Sequence, residues 1–248
     1  MLTHPDSRAT RNPVFVVRPA VLSDLADLVL GRQCLGCGVP APGICPACLT
    51  GLRAGTIALP GSPVPATAAR EYSGLTRTLI IEYKKYGYRS LDEPLGWLLA
   101  DAVWSAMRSE QLASCTIVPI HAHPRSRRSF DALGSITRAA GRALTGAGVA
   151  VRPECWLRPG SDYGTLKSLG RSARQAEVTG AFRALPAPPA HAPVIVVDDV
   201  MTTGATVGEA VDTLQRARIH VAAIAVIAAT SPGRSVMSPA RAPATRRS

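Results

Sequence analysis

The residues of this chain best suited to chemistry are two adjacent carboxylates followed by a turn of threonines and glycine. Residues 193–206 read PVIVVDDVMTTGAT: four β-branched positions, then Asp198 and Asp199, then Thr202, Thr203, Gly204, Ala205 and Thr206. The pattern predicts a buried strand with the acid pair at its carboxyl end and a helix opening after a small-residue turn. Backbone N–H groups at a helix start have no intrahelical partner and carry positive partial charge, so they receive a phosphate dianion. Gly204 lets the backbone approach closely, and the hydroxyls of Thr202, Thr203 and Thr206 can donate to phosphate oxygens. Two carboxylates just ahead of the turn can accept hydrogen bonds from vicinal sugar hydroxyls. A phosphate cradle one sugar length from a diol acceptor describes ribose 5-phosphate.

A second constellation is Cys34-x2-Cys37-x7-Cys45-x2-Cys48. Each Cys-x2-Cys turn lets two thiolates converge on one ion, and two such turns close a tetrahedral site with no open position. That chemistry is a structural zinc, with an iron–sulfur cluster as the competing occupant of four thiolates. Cys115 and Cys155 stand alone beside apolar residues and are expected to pack.

A third is the basic stretch 118–131, VPIHAHPRSRRSFD, which carries Arg125, Arg127 and Arg128 after a short apolar run. Three guanidiniums could neutralise a departing pyrophosphate and donate paired hydrogen bonds to it. Lys84, in the segment YKKYGYRSL, could reach a phosphate.

The elements that must position these groups follow from apolar spacing. Helices are expected over 22–30, 75–83, 91–107, 136–144 and 206–217, and strands over 115–120, 149–152, 194–197 and 221–228. Strands without alternation, separated by helices, imply a parallel sheet covered on both faces. A Gly/Pro/Ala-rich stretch, 54–67, reads as a linker. The implied organisation is a leader with a short helix (1–33), the four-cysteine knuckle with linker (34–60), the α/β domain (61–230) and a disordered basic tail (231–248).

With 46% hydrophobic and 18% charged residues among 248, the chain is globular rather than disordered. Its longest purely apolar run, 221–229, is far short of the roughly 20 residues of a membrane span. The amino terminus shows no secretory signal pattern, so the cytoplasm is the expected compartment and no membrane partner is expected. A formal net charge of +11 favours anionic partners, polyphosphate ligands or nucleic acid. Residues 120–183 hold eleven Lys/Arg against four Asp/Glu, so most of the excess lies mid-chain.

Together these segments resemble the ComF/GntX family, a cysteine knuckle joined to a type I phosphoribosyltransferase domain. The resemblance spans about residues 22–230 and also includes the segment LGRSARQAEVTGAF at 169–182. It implies that Asp198 and Asp199 hold the ribose hydroxyls of phosphoribosyl pyrophosphate (PRPP) and that 202–206 hold its 5-phosphate. It places Lys84, Arg125, Arg127 and Arg128 on the pyrophosphate side and brings Mg2+ with PRPP. The implied reaction is displacement at the anomeric carbon with loss of pyrophosphate to an unknown acceptor, and a homodimer is compatible with it. The chain departs from the family at His121, Ser129, Leu166 and Glu177. A non-catalytic PRPP sensor, or a DNA-associated competence protein retaining the pocket, is the alternative.

Overall fold

The structure, a computed structural model, describes residues 33–53, 55–120, 131–160, 180–187 and 192–230. The expected helix over 22–30 and the tail after 230 lie outside them. Chain order runs α1 (Pro46–Leu52), β1 (Ile57–Ala58), β2 (Ala66–Glu71), α2 (Gly74–Tyr86), a 3-10 turn (Arg89–Leu91), α3 (Asp92–Ser109), β3 (Ser114–Pro119) and α4 (Ala132–Gly146). It continues with β4 (Ala150–Pro153), β5 (Leu157–Pro159), β6 (Phe182–Ala184), β7 (Val194–Met201), α5 (Ala205–Arg216) and β8 (Val221–Ala229).

Six strands form one sheet in the order β1-β2-β8-β7-β3-β4, and β5 pairs with β6 as a separate antiparallel ribbon. Every pairing in the large sheet is parallel except β1 with β2. The continuous apolar runs of β7 and β8 follow from this position, since central strands are covered on both sides. One face packs Ile195, Val197, Ala225 and Ile227 against α2, α3 and α4 through Leu79, Leu98, Leu99 and Ile136. The other packs Val194, Val196, Ile224 and Val226 against α5 through Val207, Val211 and Leu214. The result is an α/β fold with a mostly parallel sheet flanked by helices.

The cysteine segment packs onto the first face: Cys34, Ile44 and Leu49 share the cluster of Leu91 and Leu98. Arg53, just past α1, grips Asp101 of α3 with Nε at 3.1 Å and Nη2 at 2.8 Å. Tyr83 of α2 is buried and donates its hydroxyl to Asp92 at the start of α3. Both contacts lock helices that the site depends on.

Elements α1, β1, β5 and β6 have no counterpart among those expected from the sequence, and two further departures bear on the site. β2 begins at Ala66, inside the stretch read as linker, because ATAARE is alanine-rich and lacks a β-branched run. Its strand conformation comes from pairing beside β8, with Ala68 opposite Val226. β7 runs on to Met201 instead of stopping at Val197, so the acid pair lies within the strand. Among the described residues no helix is long and apolar enough to cross a membrane.

Candidate functional site

The sheet order creates a crevice at one place. From β3 the chain passes through α4 to β4 on one side, and from β7 it passes through α5 to β8 on the other. The carboxyl ends of these neighbouring strands therefore diverge, and such divergence is where parallel α/β sheets receive ligands. β7 outruns β3 at this point. The last paired positions are Pro119 and Val197, with Ile120 N–H donating to Val197 O at 3.0 Å. Beyond them β7 stays paired with β8 alone, Asp198 opposite Val226 and Met201 opposite Ala229. Asp198 and Asp199 stand on the edge of β7 that faces the crevice.

Side chains alternate along a strand, so the two acids address opposite faces of the sheet. Asp199 turns toward α2, where Oδ2 meets Lys84 Nζ at 2.6 Å; its side chain is 13% exposed and that of Lys84 35%. Asp198 curls back so that Oδ1 accepts the Asp199 backbone N–H at 2.8 Å. Burial raises the Asp198 carboxyl well above its ordinary 3.8, and the Asp199 charge raises it further. The Asp199 amide and Lys84 oppose that rise without cancelling it, leaving the group at about 8. Two carboxylates thus share one nearby ammonium, which contacts Asp199.

The turn after β7 is open. Thr202 and Thr203 are exposed, and Gly204 sits at φ 78, ψ −3 as the N-cap of α5 with no side-chain cap. A Cβ there would meet only Met201 Sδ, at 3.9 Å, so the backbone conformation rather than crowding selects glycine. The first amide of α5, Ala205 N–H, has only a long contact to Thr203 Oγ1 at 3.5 Å. The turn is tied to the end of β8: Thr230 N–H donates to Met201 O at 3.0 Å and its hydroxyl to Thr202 O at 3.3 Å. At such a helix start the amides are uncapped and their partial charge is positive.

The four cysteines converge. Cys34, Cys37, Cys45 and Cys48 offer sulfurs that all lie within 4.8 Å of one another, with Cys37 and Cys45 Sγ 3.6 Å apart. A tetrahedral site with bonds of about 2.3 Å has sulfur–sulfur edges near 3.8 Å. The set fits a thiophilic dication. Cys34 Sγ accepts the amides of Cys45 at 3.2 Å and Gly36 at 3.4 Å, and Cys45 Sγ accepts that of Cys48 at 3.5 Å. Burial alone would raise the Cys34 thiol, but backbone amides of Cys45, Cys37 and Gly36 outweigh it and bring it to about 6. Cys48 goes the other way, to about 12, through bonds to the Cys37 and Cys45 sulfurs. Gly36 is needed for space: a Cβ would stand 2.8 Å from Cys48 Sγ and 2.9 Å from Leu75 Cδ2.

No family model matches this chain, and no curated protein does. Solved structures do. A hypoxanthine phosphoribosyl transferase of Trypanosoma cruzi is 22% identical, over 60% of this chain and 72% of that one, with a TM-score of 0.34. Glutamine and glutamic acid mutants from an analysis of an invariant aspartic acid in HPRTs are each 18% identical, over 60% of this chain and 75% of theirs, with TM-scores of 0.33.

Of the residues singled out in the sequence, the structure brings together Lys84, Asp198, Asp199 and the 202–206 turn around one crevice, and the four cysteines at another place. Arg125, Arg127 and Arg128 lie outside the described residues, as do His121 and 161–179. Lys84, expected to reach a phosphate, is paired with Asp199 instead, a contact between residues far apart in the chain that local pattern does not encode. Glu209 was not singled out at all. It is buried on α5 and accepts from Gly180 N–H at 2.8 Å, Arg216 at 2.9 Å and Thr213 at 3.3 Å, joining the start of β6 to the helix. An acid within the apolar stripe of α5, followed by Thr213 and Arg216 on the same face, was the available signal.

Proposed function

We propose that this chain binds PRPP and is a phosphoribosyltransferase-like protein of the ComF type, transferring the phosphoribosyl group with release of pyrophosphate. The observation that carries the reading is the acid pair and the uncapped helix start standing side by side at the crevice between β7 and β3. The amides at 204–206 and the hydroxyls of Thr202, Thr203 and Thr206 receive the 5-phosphate. Asp198 and Asp199 accept from the ribose hydroxyls, and Arg125, Arg127 and Arg128 face the pyrophosphate.

The reaction is displacement at the anomeric carbon through a transition state of oxocarbenium character. The bond to the pyrophosphate oxygen breaks as the acceptor bond forms, and the electron pair leaves with pyrophosphate. The protein contributes by holding ribose and phosphate in place and matching the charge that develops. Mg2+ supplies neutralisation of the pyrophosphate. In this reading the ion enters chelated by the phosphates of PRPP. The cysteine knuckle holds a structural zinc whose role is to staple 33–53 onto the α/β body. In this reading the protein works in the cytoplasm.

The test is calorimetric titration with PRPP and Mg2+, followed by measurement of pyrophosphate released with a panel of bases and amines. Asp198→Ala with Asp199→Ala abolishes binding while the circular dichroism of the fold persists. Unchanged affinity in the double variant rejects the site. Binding without pyrophosphate release makes the protein a PRPP sensor, and salt-dependent DNA binding that survives the double variant favours the DNA-associated role.

A further inference from the structure

Asp199 is already occupied. Its carboxylate, nearly withdrawn from solvent, takes the Lys84 ammonium at 2.6 Å, and Lys84 comes from the last turn of α2 on the opposite face of the sheet from α5. A sugar diol approaching Asp199 must therefore compete with a cation. Withdrawing a charged hydrogen bond from a buried carboxylate is costly unless the cation finds a new anion. In α-linked PRPP the two ring hydroxyls and the anomeric pyrophosphate lie on the same side of the ribose. A cation within bonding distance of the carboxylate that receives the hydroxyls is therefore beside the pyrophosphate, and on the far side from a 5-phosphate held at the start of α5. Lys84 is tethered well enough to swing without wandering, since Tyr83 beside it and Ile80 one turn back are both buried.

We propose that Lys84 is the specificity-determining residue that makes this site choose a ribose 5-phosphate bearing an anomeric anion over ribose 5-phosphate itself. The inference rests on the PRPP reading. In the free protein Lys84 guards Asp199. PRPP offers the ammonium a second anion as its hydroxyls reach Asp199, so the exchange is close to balanced. Ribose 5-phosphate offers none, and its hydroxyls meet a carboxylate that stays paired. The Asp198 carboxyl adds to the contrast: raised by burial and by Asp199, it is largely uncharged and does not hold Lys84 in place of the ligand.

The experiment measures dissociation constants of PRPP and of ribose 5-phosphate by calorimetry, at fixed Mg2+, for the wild type, Lys84→Met and Lys84→Arg. The wild type prefers PRPP by about a hundredfold or more, as expected for one or two charge-assisted bonds. Lys84→Met reduces that preference at least about tenfold, weakening PRPP while leaving ribose 5-phosphate as tight or tighter. Lys84→Arg retains most of the preference. A Lys84→Met protein that loses both ligands equally makes Lys84 a structural partner of Asp199 and overturns the proposal, as does an unchanged ratio. If the wild type binds neither sugar phosphate, the PRPP reading and this inference fall together; if it binds both and only the ratio resists the substitution, the inference alone falls. Lys84 lies at a part-exposed helix end, so an unchanged unfolding midpoint is expected and serves as the folding control.

Discussion

Replacing Asp198 by asparagine separates charge from shape at the heart of the crevice. The folded-state value of about 8 lies above the ordinary 3.8, chiefly because the group is buried and secondly because Asp199 is ionised beside it. Between those two values the folded chain holds a proton that the unfolded chain has released. Stability from this group is therefore complete below 3.8, falls as pH rises, and is gone above about 8. One proton of difference gives a slope of up to about 1.4 kcal/mol per pH unit, so the wild type loses on the order of 2 kcal/mol between pH 5 and pH 7 that Asp198→Asn does not. In a chain of this size that is a relative shift of roughly 5 °C in melting temperature. Thermal melts of both proteins, zinc-loaded and ligand-free, at half-unit pH steps give the difference curve. Titrating groups that do not interact with Asp198 cancel in it. Asparagine should gain on the wild type steadily from about pH 4 upward and level off near pH 8. Parallel curves across that range would show that Asp198 ionises normally, and the account of a buried acid crowded by Asp199 would be wrong. Asp199→Asn should flatten the wild-type slope, since it removes the second cause.

Three further predictions follow from geometry. Elemental analysis should find about one zinc per chain, and Cys45→Ser should lose it and lower the melting temperature, because the ligand it removes also anchors the segment packed on Leu91. Gly204→Ala, measured by denaturant unfolding and PRPP titration, should cost about 1 kcal/mol in stability from its φ of 78, with a larger loss in PRPP binding as the turn relaxes. Gly96→Val should destabilise by about 2 kcal/mol or more in chemical denaturation, since even a Cβ there would lie 2.5 Å from Ala139 Cβ where α3 crosses α4.

Local pattern was enough for the parts of this protein whose residues lie close together in the chain. The VIVV run, the acid pair and the threonine–glycine turn are contiguous, so strand, carboxylates and helix start could be read as one unit from 193 to 206. The four cysteines are equally local, and their spacing alone brings two chelating turns within reach of each other. The extent of β7 and the very existence of β2 were not legible, because both depend on pairing with β8, and which strands become neighbours is not written in the local pattern of either. Position within the sheet was also beyond the sequence: that β3 and β7 are neighbours whose chains leave in opposite directions is a property of strand order, and strand order sets where the crevice opens. The charge state of the site belongs to the same class. Asp198 and Asp199 read as a pair of hydroxyl acceptors in the chain, and only packing desolvates the first and delivers Lys84 of α2 to the second, since electrostatic energy depends on distance and dielectric, not on sequence separation.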